Sequence, residues 1–188
     1  MGILGDSKST TIYPWGASLT TALQFGKYHT VVENLNSAGL RDWAISGSTV
    51  AVIKGQIDAL LSAHASNSDV DNLFIMNLGV NEMSSLPDSA VWATNYLYII
   101  DAVRAKYSNA VVYLSRPWKR GYAAQSDIVA GWIDAIVVAR PTFVSVGDDE
   151  RVWLENGDDG ATMTTDGVHY STAGQAAKIT AVRAVLGF

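Results

Sequence analysis

Residues 72–82 read NLFIMNLGVNE, an apolar run followed by a glycine turn that carries an asparagine and a glutamate. The first part, residues 72–78, is apolar and bounded by turn residues, which is typical of a strand buried in a parallel sheet. Similar runs at residues 110–114 and 143–146 predict two more strands. Longer segments with helical spacing lie between these runs, so we expect an α/β protein.

Two further strands are expected near the N-terminus. Gly2-Ile3-Leu4 has the character of the end of a first strand, and either residues 30–34 or residues 42–45 supply another. Helical patterns are predicted over residues 49–65, 87–107, 126–139 and 172–186. The alternation of strand and helix predicts a three-layer αβα sandwich around a parallel sheet. Because such crossovers are right-handed, the loops that follow the strands should meet at one edge of the sheet, where a site is expected.

The composition limits the classes of function. The chain has 188 residues and no linker or repeat, so residues 1–188 are expected to form a single domain. A formal net charge of −5 argues against a nucleic-acid partner. The absence of cysteine excludes disulfides, thiolate catalysis and cysteine-ligated metals. No phosphate loop or dinucleotide fingerprint appears, so no organic cofactor is implied.

The sequence also bears on metal binding, membrane insertion and cellular location. No two histidines have metal-ligand spacing, and the acidic residues 148–150 and 158–159 match no calcium loop, so they are expected to be solvated loops and no metal is predicted. No segment is long enough for a membrane span. We expect a soluble protein, extracellular if an upstream signal peptide has been removed from a longer precursor. The oligomeric state stays open.

The first two motifs at the expected edge contain small residues. Gly5-Asp6-Ser7 follows the first strand, and a strand-to-helix turn there would expose the Ser7 hydroxyl to a base and to backbone N–H groups. Taken alone, the tripeptide is also compatible with a polar turn in which Ser7 caps a helix. Gly47, in the segment ISGST, either serves a turn with positive φ or lets its N–H approach a substrate oxygen.

The other two motifs supply an amide and an imidazole. Asn81 follows the most apolar strand, where its carboxamide either donates to an oxyanion or caps the next turn. In Asp166-Gly167-Val168-His169 a carboxylate lies three residues before a histidine, a spacing that allows Asp166 to orient the imidazole of His169. Residues 172–175, TAGQ, match a capping box and place the start of the last helix just after His169.

In this order the four motifs resemble those of the SGNH/GDSL hydrolases. That family carries Ser, Gly, Asn and His in blocks that correspond here to Gly5-Asp6-Ser7, Gly47, residues 79–82 and residues 166–169. The resemblance implies a flavodoxin-like αβα sandwich and a serine hydrolase that acts on ester bonds. It also implies roles for single residues.

In those implied roles, Ser7 is the nucleophile, His169 takes its proton, and Asp166 holds His169. The backbone N–H groups of Ser7 and Gly47 and the side chain of Asn81 form the oxyanion hole.

Two positions depart from the family pattern. Residue 82 is Glu where the family usually has Asp, which we interpret as a change in supporting structure. Lys8 stands where many members have Leu, and next to the nucleophile it is expected to influence substrate choice. Trp118 and Trp153 are candidates either for stacking on a sugar or for half-buried packing.

The expected substrate is a small-molecule or carbohydrate ester. Polar loops and the lack of a long apolar segment favour short acyl chains, and O-acetyl groups on a carbohydrate in particular. A thioesterase or lipase-like acyl hydrolase of the same family is the alternative. Rivals of another class are a non-catalytic carbohydrate-binding module on this fold, and a nucleotide- or flavin-binding flavodoxin-like protein whose hydroxyl-rich residues 6–11 cradle a phosphate.

Overall fold

The strands form one parallel sheet with the order expected for a flavodoxin-like protein. The computed structural model describes residues 2–5, 8, 43–44, 46–62, 72–154 and 160–187. The strands are β1 (Gly2–Gly5), β2 (Trp43–Ala44), β3 (Asn72–Asn77), β4 (Ala110–Arg116) and β5 (Val144–Asp149). They pair in parallel in the order β2-β1-β3-β4-β5. The order reverses at β1, and in open α/β sheets such a switch point is where ligands bind.

Helices cover both faces of the sheet. Within the described residues these are α1 (Val50–Ser62), α2 (Ser89–Lys106), α3 (Ala123–Ala139), α4 (Glu150–Leu154) and α5 (Thr172–Leu186), together with a short 3-10 helix at Asn81–Ser84. Side chains alternate across β3, so Phe74 and Met76 join a core with α1, α2 and α3, whereas Ile75 joins a second core that includes Val182 of α5. The three-layer αβα sandwich is therefore confirmed.

The predicted elements agree with the structure apart from their ends. Strand β2 falls within residues 42–45, and residues 30–34 lie outside the described residues. The last helix has the predicted bounds, but its cap is Ser171 rather than Thr172, because the Ser171 hydroxyl accepts from the N–H of Gly174. The helix predicted over residues 87–107 begins later, at Ser89, after the cap Asp88, whose carboxylate accepts from Ala90 and Val91.

The interpretation of residues 148–150 as a solvated loop is wrong. Strand β5 continues through Asp149, and Asp148 and Glu150 are 2% and 0% exposed. Their charges are balanced by two lysines that are themselves fully buried. Lys178 Nζ lies 2.8 Å from Asp148 Oδ1 and 3.2 Å from Glu150 Oε1, and Lys8 Nζ lies 2.6 Å from Glu150 Oε2. Residues 158–159 lie outside the described residues.

These buried groups remain ionised because each lies next to a group of opposite charge. Burial disfavours the charged carboxylate of Glu150, but attraction to Lys8 and Lys178 outweighs that effect and lowers its pKa from the usual 4.5 to about 2. Burial also disfavours the charged form of Lys178, yet Asp148 and Glu150 raise its pKa above the usual value. Removing one partner would leave an uncompensated charge in the core.

We predict that Asp148→Asn lowers the free energy of unfolding by about 3–5 kcal/mol, because Lys178 then keeps only part of its compensating charge. Urea denaturation measures this directly. The matched control is Asp101→Asn, which breaks an exposed ion pair of 2.6 Å with Arg140 and should cost about 1 kcal/mol or less. Equal losses in the two variants would contradict a special role for the buried pair.

Candidate active site

The Asp166–His169 segment folds into a closed turn that pairs the two side chains. Asp166 Oδ2 lies 2.6 Å from His169 Nδ1, while Asp166 Oδ1 accepts from the backbone N–H groups of Val168 (3.0 Å) and His169 (2.8 Å). Since an ionised carboxylate can only accept, Nδ1 carries the proton and Nε2 is left as the basic nitrogen. The structure thus brings together the carboxylate and the imidazole that the spacing predicted to meet.

Backbone contacts fix the shape of this turn. Thr164 and Tyr170 form an antiparallel bridge at its base, and the N–H of Thr165 donates to the His169 carbonyl over 2.8 Å. Gly167 has φ of +86°, and a Cβ there would lie 2.9 Å from Cβ of Arg120. A glycine is therefore needed between the carboxylate and the imidazole both for backbone conformation and for space.

The carboxylate of Asp166 is strongly biased toward its ionised form. Partial burial acts to raise its pKa, but hydrogen bonds from the backbone and side chain of His169 and from the backbone of Val168 lower the pKa to about 2. Asp166 therefore carries a negative charge at neutral pH, next to Nδ1 of His169. A carboxylate at that position stabilises an imidazolium when one forms.

The Gly47 loop and the Asn81 segment are joined directly. Asn81 Nδ2 donates to the Ser48 carbonyl over 2.8 Å, so the side chain crosses to the neighbouring loop and does not cap the turn that follows it. One of its two N–H groups is used in this contact, which leaves one for a further acceptor. Gly47 itself is exposed with φ of +74°, and a Cβ would meet nothing within 4 Å.

Glu82, which stands where the family usually has Asp, supports the start of α1, in agreement with the structural role expected for it. Its Oε1 accepts from the N–H of Val50, the first residue of α1, over 2.6 Å, and the side chain is 4% exposed. Burial raises the pKa of this carboxyl, and the Val50 hydrogen bond opposes the shift. Neighbouring residues Asn81 and Glu82 thus hold both ends of the short segment from Ser48 to Val50.

Ser7 lies outside the described residues, but residues on either side of it are described. Gly5 ends β1 and pairs with Asn77 at the end of β3 and with Ala44 at the end of β2. The segments that carry Ser7, Gly47 and Asn81 therefore follow three adjacent parallel strands at one edge of the sheet. That edge was predicted from the right-handed crossovers.

The His169 turn is attached to the same edge through β3 and β4. The hydroxyl of Tyr170 lies 3.1 Å from Asn77 Nδ2, at the carboxyl end of β3. The N–H of Arg120, beyond the end of β4, donates to the Gly167 carbonyl over 2.9 Å. The segments of Gly47, Asn81 and His169 accordingly lie at the edge of the sheet where β1 ends at Gly5.

The expectation for Lys8 is wrong, and burial decides between the two alternatives left open for Trp118 and Trp153. Lys8 does not face a substrate, because it is fully buried and its ammonium donates to Glu150 and to the Trp118 carbonyl. Trp118 is 1% exposed, so it cannot stack on a sugar. Trp153 is half-buried against Tyr170, with ring centroids 5.6 Å apart.

Sequence patterns did not indicate that Tyr170 and Glu150 join the loops around the site. The sequence signal for Glu150 is its place directly after a strand, because ligands of α/β proteins bind at the carboxyl ends of the strands. For Tyr170 the signal is its position next to His169. Its hydroxyl donates to Glu150, and burial together with that negative charge raises the pKa of Tyr170, so it stays protonated.

Across the described ranges, no cluster of three or more His, Cys, Asp or Glu side chains is arranged to hold a metal ion. The helices in those ranges also lack the combination of length and apolar character that crossing a membrane requires.

Known structures share this architecture over almost their whole length. The psychrotrophic esterase EstA from Pseudoalteromonas sp. is 18% identical with a TM-score of 0.72, and the match covers 99% of this chain and 95% of that one. A family 3 carbohydrate esterase from Clostridium thermocellum is 18% identical with a TM-score of 0.68, covering 98% and 94%. An acetyl esterase mutant with an acetate ion is 15% identical with a TM-score of 0.67, covering 98% and 94%.

At these identities the structures establish the fold alone. No curated protein sequence matches the chain significantly. The family profile described as the GDSL-like lipase/acylhydrolase family, in contrast, matches residues 3–177, which include all four motifs. The chain therefore belongs to the GDSL-like lipase/acylhydrolase family, whose members hydrolyse esters.

Proposed function

We propose that this hydrolase is a serine esterase that removes short acyl groups, with O-acetyl groups on a carbohydrate as its substrate class. The observation that carries the proposal is the 2.6 Å contact between Asp166 and His169, which leaves Nε2 as a base for the Ser7 hydroxyl. The carbohydrate and acetyl esterases among the structural neighbours support the choice of substrate.

In the proposed reaction, His169 Nε2 takes the Ser7 proton as the hydroxyl oxygen attacks the acyl carbon. The carbonyl oxygen becomes negative, and the N–H groups of Ser7, Gly47 and Asn81 stabilise that charge. His169 then returns its proton to the leaving alcohol, which yields an acyl-serine. Water, activated by the same imidazole, hydrolyses this intermediate and restores the free hydroxyl.

We predict that Ser7→Ala lowers kcat for p-nitrophenyl acetate about 10⁴-fold or more, because the nucleophile is lost while oxyanion stabilisation remains. A fluorophosphonate probe should label Ser7 in the parent protein, as read by mass spectrometry of the peptide. Ser9→Ala is the matched control and should keep both hydrolysis and labelling. Turnover that survives in Ser7→Ala would show that another group attacks the ester.

We predict that Asn81→Ala lowers kcat about 10²–10³-fold with a much smaller change in KM, because its donor acts mainly when negative charge develops. The variant also loses the contact with Ser48, so Glu82→Ala, which releases the adjacent anchor at Val50, serves as the comparison. A purely anchoring role for Asn81 would give the two variants similar kcat values. A change confined to KM would make Asn81 a ground-state contact.

The acyl preference follows from which side chains are open to solvent near the site. The apolar residues Leu78, Val80 and Trp118 at the strand ends are at most 1% exposed, whereas Ser46 and Thr165 are exposed and polar. A longer acyl chain gains about 0.8 kcal/mol per CH₂ only where an apolar channel receives it. Phe25 and Trp15, the aromatic residues that would form such a channel by folding over the site, lie outside the described residues.

We predict that kcat/KM is highest for acetyl esters and falls steeply beyond butyryl esters, because added methylene groups meet polar surroundings. A series of p-nitrophenyl acetate, butyrate, octanoate and dodecanoate measures this, and acetylated sugars test the alcohol. A rise toward octanoate or dodecanoate would instead assign the protein as a thioesterase or lipase-like acyl hydrolase.

A further inference from the structure

We infer that Glu150 is a positioning residue that sets the distance between the nucleophile and its base, an inference that rests on the proposed roles of Ser7 and His169. The carboxylate is fully buried and lies at the start of α4, directly after β5, outside the motifs that carry Ser7 and His169. It is bonded to the residue that follows Ser7 and to the residue that follows His169.

The first of these bonds reaches the nucleophile segment. Lys8 Nζ donates to Glu150 Oε2 over 2.6 Å and to the Trp118 carbonyl over 2.6 Å, and no part of Lys8 is exposed. Consecutive Cα atoms are about 3.8 Å apart, so fixing Lys8 restricts where Ser7 can lie. Because water has no access to this ion pair, solvent does not compete for either partner.

The second bond reaches the base segment. The Tyr170 hydroxyl donates to Glu150 Oε1, and the same hydroxyl accepts from Asn77 Nδ2. Tyr170 directly follows His169 and forms the bridge with Thr164 that closes the catalytic turn. A displacement of Tyr170 would therefore carry the whole Asp166–His169 turn with it.

Further contacts tie these two bonds into a single unit. Glu150 Oε2 also accepts from the N–H of Trp118 over 3.1 Å, which fixes the carboxylate relative to the loop after β4. The Lys8 ammonium lies 5.2 Å from the centroid of the Tyr170 ring, a cation–π contact that connects the two segments without passing through Glu150. Neutralising Glu150 weakens the ion pair with Lys8 and loosens both segments together.

Asp148 offers a control within the same buried cluster. It accepts from Lys178 and from the Ser115 hydroxyl, whereas the Lys8 ammonium and the Tyr170 hydroxyl both donate to Glu150. A role for the cluster in stability alone would make Glu150 and Asp148 equivalent. A positioning role separates them, because a misplacement of about 1 Å between reacting groups can cost about 10²-fold in rate.

The first experiment compares Glu150→Gln with Asp148→Asn, which each remove one buried negative charge. kcat, KM and the rate of fluorophosphonate labelling at Ser7 are measured at a temperature where circular dichroism shows both variants folded. We expect Glu150→Gln to lower kcat and the labelling rate about 10²-fold with little change in KM. Asp148→Asn should stay within about threefold of the parent protein in kcat, although its melting temperature falls.

A second pair of variants decides the matter if Glu150→Gln does not fold. Tyr170→Phe and Ser115→Ala each remove one hydroxyl from the cluster and retain the rest of the side chain. Tyr170→Phe should lower kcat and labelling about tenfold because the His169 turn loses its bond to Glu150, whereas Ser115→Ala should change them less than twofold.

The outcomes separate this inference from the proposed function. Parent protein that hydrolyses no ester and is not labelled at Ser7 would overturn the function, and the positioning role with it. Active, labelled parent protein combined with parent-like kcat and labelling in folded Tyr170→Phe or Glu150→Gln would overturn the positioning role alone. Equal losses of kcat in the Glu150 and Asp148 variants, or in the Tyr170 and Ser115 variants, would likewise reduce Glu150 to a structural residue.

Discussion

The arrangement of the loops depends on the hydrogen bonds that the buried carboxylate of Glu150 accepts. It accepts hydrogen bonds from Lys8 after β1, from Asn77 at the end of β3, from the Trp118 backbone after β4, and from Tyr170 and Lys178 beyond β5. A buried charge without such partners would cost several kcal/mol, so each segment must return to its place for the chain to fold. The geometry of the strand ends is therefore coupled to global stability.

The sheet and its helices were predictable because their signals are local. Short apolar runs bounded by turn residues gave β3, β4 and β5, and helical spacing gave α5 with its observed bounds. The errors lie at ends, where a cap or a terminal residue depends on one hydrogen bond. Asp149 extends β5 beyond the apolar run, and its carboxylate accepts from Arg116 on β4 and from Arg151. A hydropathy pattern carries no signal for these ion pairs.

The site was predictable to the extent that each motif is contiguous in sequence. Asp166 and His169 lie three residues apart, so their contact followed from the spacing and from the glycine between them. Lys8 and Glu150 are separated by 142 positions, and nothing in the local composition distinguishes two buried partners from two solvated charges. Glu82 was predictable in part. A supporting role was expected for it, but its partner, the N–H of Val50, was not.

The bridge between Thr164 and Tyr170 closes the turn that carries Asp166 and His169 into a small structural unit. Contacts of such short sequence separation form at little entropic cost and do not wait for distant parts of the chain. Substitutions far from this turn can therefore move the imidazole together with the whole turn. Its tautomer and its carboxylate partner stay the same. A hydrolase that uses this pair would then gain or lose activity mainly through movement of the whole turn. Selection and engineering could therefore act on the position of one segment.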